Sequence, residues 1–186
     1  MKSSFISASL YKNIPNIVSI LGVLPLAILF FKDGFQYLIP LIIYNNIMDD
    51  LDGILAIKLH LKSHFGAALD NVCDAVAHII FVIAIGIHYE MTFSIVSLIA
   101  VTVILLRVTS RITASEKISV GSPTNELMRH LLLVLLTAQY FEFAPDSLLI
   151  TVALLNSISM LSPFPIPYLI RSLTKSTTAI GFGKAS

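Results

Sequence analysis

Apolar positions run along this chain in long blocks divided by short polar breaks. The blocks are roughly Ile14–Phe31, Phe35–Leu59, Phe65–His88, Met91–Thr113, Glu126–Phe143 and Ser147–Ile170. Each is close to the ~20 residues that a helix needs to cross a bilayer. They lack the strict alternation that a membrane barrel requires. The breaks Lys32-Asp33-Gly34, Tyr89-Glu90, Gly121-Ser122-Pro123 and Ala144-Pro145-Asp146 carry turn chemistry. The pattern predicts an all-α integral membrane protein with six transmembrane helices. A short N-terminal interfacial segment, Met1–Asn13, precedes them, with Phe5, Ile6, Leu10 and Tyr11 on its apolar side. The length fits one domain over residues 1–186. Its polar end, Thr174–Ser186, reads as a mobile tail.

Composition supports the membrane reading. The chain is 56% hydrophobic and 12% charged, with mean hydropathy +0.87. Soluble domains carry about a quarter charged residues. The single cysteine excludes a disulfide framework and a Cys-rich metal site. No small-x-small cleavage site follows Ile17–Phe31, so that run is expected to stay in the protein. Six spans place both termini on one side. Eleven of the twelve Lys and Arg residues then share that side, and Lys32 alone lies opposite. The positive-inside rule makes this a multi-pass cell-membrane protein with its termini facing the cytoplasm.

Acidic residues change the picture from membrane protein to candidate enzyme. Five of the eleven lie between Asp49 and Asp74, within otherwise apolar sequence. A carboxylate at bilayer depth costs about 2.5–3.5 kcal/mol on insertion scales. Several together repel unless a cation sits between them, and hard divalent cations prefer oxygen ligands. Asp49 and Asp52 share one helix face, and Asp70 and Asp74 share another. Gly53, Ala56 and Gly66 beside them leave room for a ligand to approach the backbone. A turn near Lys58–His64 would point the two pairs at each other, on the cytoplasmic side. Asp50 points about 100° away from Asp49 and falls outside the set. All-oxygen ligation suits Mg²⁺, Mn²⁺ or Ca²⁺. Two other readings stand beside the metal site: solvated charges at helix ends, or a cation transporter. A transporter needs acidic residues along a whole path, whereas these cluster at one end.

The spacing Asp49-x₂-Asp52-Gly53-x₂-Ala56-x₉-Gly66-x₃-Asp70-x₃-Asp74 resembles the signature of the class I CDP-alcohol phosphatidyltransferases. The family pattern continues with Arg directly after the alanine, where this chain has Ile57 and then Lys58. The resemblance implies a six-helix membrane fold, a homodimer and a two-metal site of Mg²⁺ or Mn²⁺. It implies that Asp49, Asp52, Asp70 and Asp74 are metal ligands and that Asp74 is also the general base. Gly53, Ala56 and Gly66 are then substrate-binding positions, with Lys58 as a stand-in for the missing Arg. Pro15-Asn16-Ile17-Val18-Ser19 resembles the helix opening common in the family, which gives Asn16 a nucleotide contact.

Arg107 and Arg111, one turn apart, suit phosphate binding. With Gly121-Ser122-Pro123 and Met160–Tyr168 they resemble the phosphatidylserine synthase subgroup. The implied activity, a step in phospholipid biosynthesis, moves a phosphatidyl group from CDP-diacylglycerol to a small polar alcohol, with release of CMP. Serine is favoured. Glycerol 3-phosphate, inositol phosphate, or a CDP-amino-alcohol with diacylglycerol stay open. The expected partners are the CDP-activated lipid, the alcohol and membrane lipids; a nucleic acid is not among them. Asn156 reads as a helix–helix hydrogen-bonding residue, and His78 as a hydrogen-bonded core residue.

Overall fold

The structure is a computed structural model and describes residues 10–113 and 123–161. The interfacial segment up to residue 9, Gly121-Ser122, Ser162–Tyr168 and the Thr174–Ser186 tail lie outside these residues. Among the described residues from 14 onward, six α-helices follow in the predicted order.

Helix α1 covers Ile14–Val23 and opens with Pro15 in its first turn, where the absent N–H costs nothing. The predicted continuous run Ile14–Phe31 breaks here: from Leu24 to Phe30 the chain tightens into a 3₁₀ helix with Pro25 near its start. Pro25 has no N–H to offer the Leu21 carbonyl. That carbonyl instead accepts the Tyr44 hydroxyl at 3.1 Å. Asp33 then turns through left-handed backbone (φ 62°) into a second 3₁₀ turn, Gly34–Tyr37. Helix α2 runs Leu38–Lys58, with Pro40 in its tolerant first turn.

The C-terminus of α2 closes with two backbone bonds. His60 N–H donates to Ile57 O at 3.2 Å and Leu61 N–H to Ala56 O at 3.0 Å. His60 stands at φ 55°, so the turn has the Schellman arrangement with histidine where glycine is usual. Ser63 caps α3 (His64–His88) by accepting from Gly66 N–H at 2.9 Å. Helix α4 (Glu90–Thr113) follows almost directly. Helices α5 (Pro123–Phe141) and α6 (Asp146–Leu161) complete the set.

Packing neighbours place the helices in a ring ordered α1, α2, α5, α6, α4, α3. Helix α1 packs on both α2 and α3, more extensively than these two pack on each other. The core gathers Leu26, Leu38, Ile42, Phe81, Val82, Ile85, Ile104, Leu127, Leu131 and Leu149. Gly86 lets α3 and α4 come close, since a Cβ there would lie 2.4 Å from Ser97 Oγ. Ser94 and Ser97 hold the approach by donating to Gly86 O at 2.8 Å and Val82 O at 3.0 Å.

Polar side chains are buried alongside this apolar core, and large apolar side chains face outward. Ser19, Asn45, Asp52, His78, Ser97, Thr124 and Ser157 are buried, while Ile87 (68% exposed), Leu98 (65%) and Leu133 (62%) face outward. Exposed apolar side chains in such number fit contact with lipid or partners. Among the described residues His64–His88 is long and apolar enough to cross a bilayer by itself. Ile14–Phe30, Ser94–Ser110 and Asp146–Leu161 are shorter apolar stretches.

Candidate active site

Three helices build the site. Helix α2 presents Asp49, Asp52, Gly53 and Ala56, and α3 presents Gly66, Asp70 and Asp74. Helix α1 fits between them and contributes Pro15, Asn16, Ser19 and Gly22. The close fit depends on small residues. A Cβ at Gly22 would sit 3.1 Å from Met48 Cβ, and one at Gly66 would sit 3.0 Å from both Asn16 Oδ1 and Ser63 Oγ.

Asp49, Asp70 and Asp74 converge, each offering a carboxylate oxygen within 4.8 Å of the others. Asp49 and Asp74 lie within hydrogen-bonding reach of each other. Two ionised carboxylates cannot hold such a contact without a shared proton or a cation between them. Like charges about 4 Å apart repel by about 4 kcal/mol at an effective dielectric of 20. An all-oxygen donor set at this spacing fits a hard divalent cation.

Asp52 is 5% exposed and accepts a hydrogen bond from the Ser19 hydroxyl. Ser19 Oγ also lies 3.2 Å from Pro15 O. A hydroxyl has one hydrogen, so the charged acceptor takes it. Asp52 still lines the narrow space among Ser19, Gly22, Asn45, Asp49, Asp70, Cys73 and Asp74. The structure thus brings all four predicted aspartates to one place in different surroundings: three converge and the fourth is held by α1. Asp50 is exposed and stands apart, as its helical angle predicted. Asn45 donates to Gly22 O at 3.4 Å and ties α2 to α1.

A cavity of about 330 Å³ adjoins the carboxylates, with Asp52 and Asp70 in its wall. The predicted Asn16, Gly53, Ala56 and Gly66 line it, together with Ser19, Ile57, Lys62 and Ser63. Lys58 is exposed and does not line it. Arg107 is partly buried, its Nε unpartnered, and does not line it either. Arg111 is one turn further along α4; its side chain lies outside the described part.

Three residues near the carboxylates carry no site role in the sequence pattern. Ser19 lies one turn beyond Pro15 on the face turned to α2, and that spacing was a usable signal. Lys62 falls within the predicted turn near Lys58–His64, but spacing alone does not say which residue of a turn meets the cavity. Arg129 pairs with Glu126 at 2.7 Å and lies within electrostatic reach of Asp49. His130 Nδ1 meets Asn156 Oδ1 at 3.2 Å, the predicted helix–helix bond of Asn156. His78 is buried as predicted, but its Nδ1 has no hydrogen-bond partner.

Comparison with known families decides what this geometry belongs to. The family model described as CDP-alcohol phosphatidyltransferase matches residues 12–170. The chain belongs to this family. The match covers all the site helices, and the family carries out transfer from CDP-alcohols in phospholipid synthesis and is membrane-associated. A protein of Aquifex aeolicus (strain VF5), described as uncharacterized, is 33% identical over 82 residues. That similarity spans 42% of this chain and 42% of the other. No solved structure matches.

Proposed function

We propose that this protein moves a phosphatidyl group from CDP-diacylglycerol to serine, releasing CMP, at the cytoplasmic face of a six-span cell-membrane domain. The observation that carries this reading is the convergence of Asp49, Asp70 and Asp74 beside a small-residue cavity within a family match. Asn16 and the small residues Gly53, Ala56 and Gly66 line space for the CDP group. Asp74 takes the proton of the acceptor hydroxyl, whose oxygen forms a bond to the phosphorus that bears diacylglycerol. The bond from that phosphorus to the CMP oxygen breaks, and CMP leaves. Asp49, Asp52, Asp70 and Asp74 would hold a Mg²⁺ or Mn²⁺ pair, which when bound would supply neutralising charge for the diphosphate. Ser19 keeps Asp52 oriented, and Arg129 offsets part of the negative charge at Asp49.

Serine as acceptor rests on the resemblance at Arg107, Arg111, Gly121-Ser122-Pro123 and Met160–Tyr168. Arg107 adds a guanidinium with an unpartnered Nε, a group suited to a carboxylate. Topology rests on charge: Lys58, Lys62, Arg107, Arg111 and Arg129 belong to the cytoplasmic side. The protein acts as one domain and, as the family resemblance implies, as a homodimer.

An acceptor panel tests the serine assignment. Purified protein with CDP-diacylglycerol and Mg²⁺ or Mn²⁺ receives serine, glycerol 3-phosphate or inositol phosphate, and mass spectrometry identifies the lipid. Phosphatidylserine is expected as the main product. A different phospholipid as main product replaces serine and leaves the family reaction standing.

A further inference from the structure

The family pattern places an arginine directly after the alanine of its signature, and this chain has Ile57 there. Ile57, 57% exposed, is among the residues that line the cavity beside the carboxylates, so the position keeps its place and loses its charge. Lys58 is one residue on, a step of about 100° around the helix. It is exposed and does not line the cavity.

The turn after α2 supplies another cation. Left-handed backbone at His60 (φ 55°), with Leu61 N–H bonded back to Ala56 O, reverses the chain. Leu61, Lys62 and Ser63 then come to the cavity wall, opposite in sequence but adjacent in space to Gly53, Ala56 and Ile57. Ser63 is committed to capping α3 through Gly66 N–H, which anchors the chain immediately after Lys62. Among the described residues Lys62, itself exposed like Lys58, is the one cation that lines this cavity, and it forms no ion pair there.

We infer that Lys62 is this chain's phosphate-binding cation, holding the diphosphate of the CDP group in place of the arginine absent at Ile57. The inference rests on the proposed function and adds a residue to it. An ammonium is a compact donor of charge that reaches phosphate oxygens without the fixed fork of a guanidinium. A turn between helices positions it.

The test measures equilibrium binding of CDP and of cytidine to the full-length protein in detergent with Mg²⁺ present. Lys62→Ala is expected to weaken CDP binding about tenfold, the scale of one charge-assisted contact, and to leave cytidine binding unchanged. Lys62→Arg is expected to retain most of the CDP affinity. Ile57→Arg, added to Lys62→Ala, is expected to restore CDP binding, because both positions face one cavity. Wild-type affinity for CDP in Lys62→Ala overturns the inference. So does equal loss of CDP and cytidine, which marks a structural role. Loss in Lys58→Ala in place of Lys62→Ala, or no restoration by Ile57→Arg, overturns it too. A wild-type protein that binds no CDP overturns the functional reading itself, so the two failures are distinguishable.

Discussion

Asp74→Asn is expected to lower CMP release by about 10²–10⁴-fold, the usual weight of a general base. Asparagine keeps the volume of aspartate but cannot take the acceptor's proton. It also withdraws one negative ligand from the Asp49, Asp70 and Asp74 group, whose oxygens lie within 4.8 Å of one another. Both effects reduce turnover. Stability moves the other way: removing one of several mutually repelling carboxylates relieves an unfavourable field. The metal-free variant should therefore unfold at a temperature no lower than metal-free wild type. Steady-state kinetics and thermal denaturation on one preparation check both halves. Full turnover in Asp74→Asn would remove the base assignment, and marked destabilisation would reveal a structural role for the carboxylate.

Gly34→Ala is expected to show the largest effect on stability, about 2–3 kcal/mol, toward the upper end of what overpacking costs. A Cβ at Gly34 would sit 2.0 Å from Ile28 O, 2.9 Å from Ile28 C and 3.1 Å from Leu29 Cα. All three atoms are backbone, so no rotamer change relieves the clash. The turn between the two 3₁₀ segments must open, and with it the bonds Phe31 N–H to Ile28 O at 3.1 Å and Gly34 N–H to Phe31 O at 2.9 Å. At roughly 2–4 °C per kcal/mol for a chain of this size, the midpoint should fall by several degrees. Gly53→Ala is the contrasting case, because nothing lies within 4 Å of its added Cβ. It should fold as stably as wild type and bind CDP-diacylglycerol more weakly, since Gly53 lines the cavity. Thermal midpoints and KM values measured side by side separate the two glycines. Equal stability loss in both would refute the packing account.

Hydrophobic patterning made the order of the helices legible because each run is long and bounded by turn residues. The starts of α3 and α4 fell one residue from prediction, at His64 and Glu90. The first run was misjudged because Pro25 changes the hydrogen-bond ladder without interrupting hydrophobicity. The six spans were inferred from length and hydropathy, yet by those measures His64–His88 alone passes among the described residues. Polar site residues within α2 lower its apolar character. The Asp49–Asp74 cluster was legible because helical spacing fixes which side chains share a face. Spacing within one helix does not say which hydroxyl of another helix will meet that face. This is why the Ser19–Asp52 bond was hidden. The turn near Lys58–His64 is legible, but the left-handed backbone at His60, without the glycine that usually signals it, decides which of its residues meets the cavity.

Divalent-dependent CMP release from CDP-diacylglycerol is the defining expectation for this site. Purified protein should release CMP with an acceptor alcohol when Mg²⁺ or Mn²⁺ is present, fall to background after exhaustive chelation, and recover when the cation is returned. CMP release undiminished by chelation, or no release with any acceptor alcohol, would contradict it.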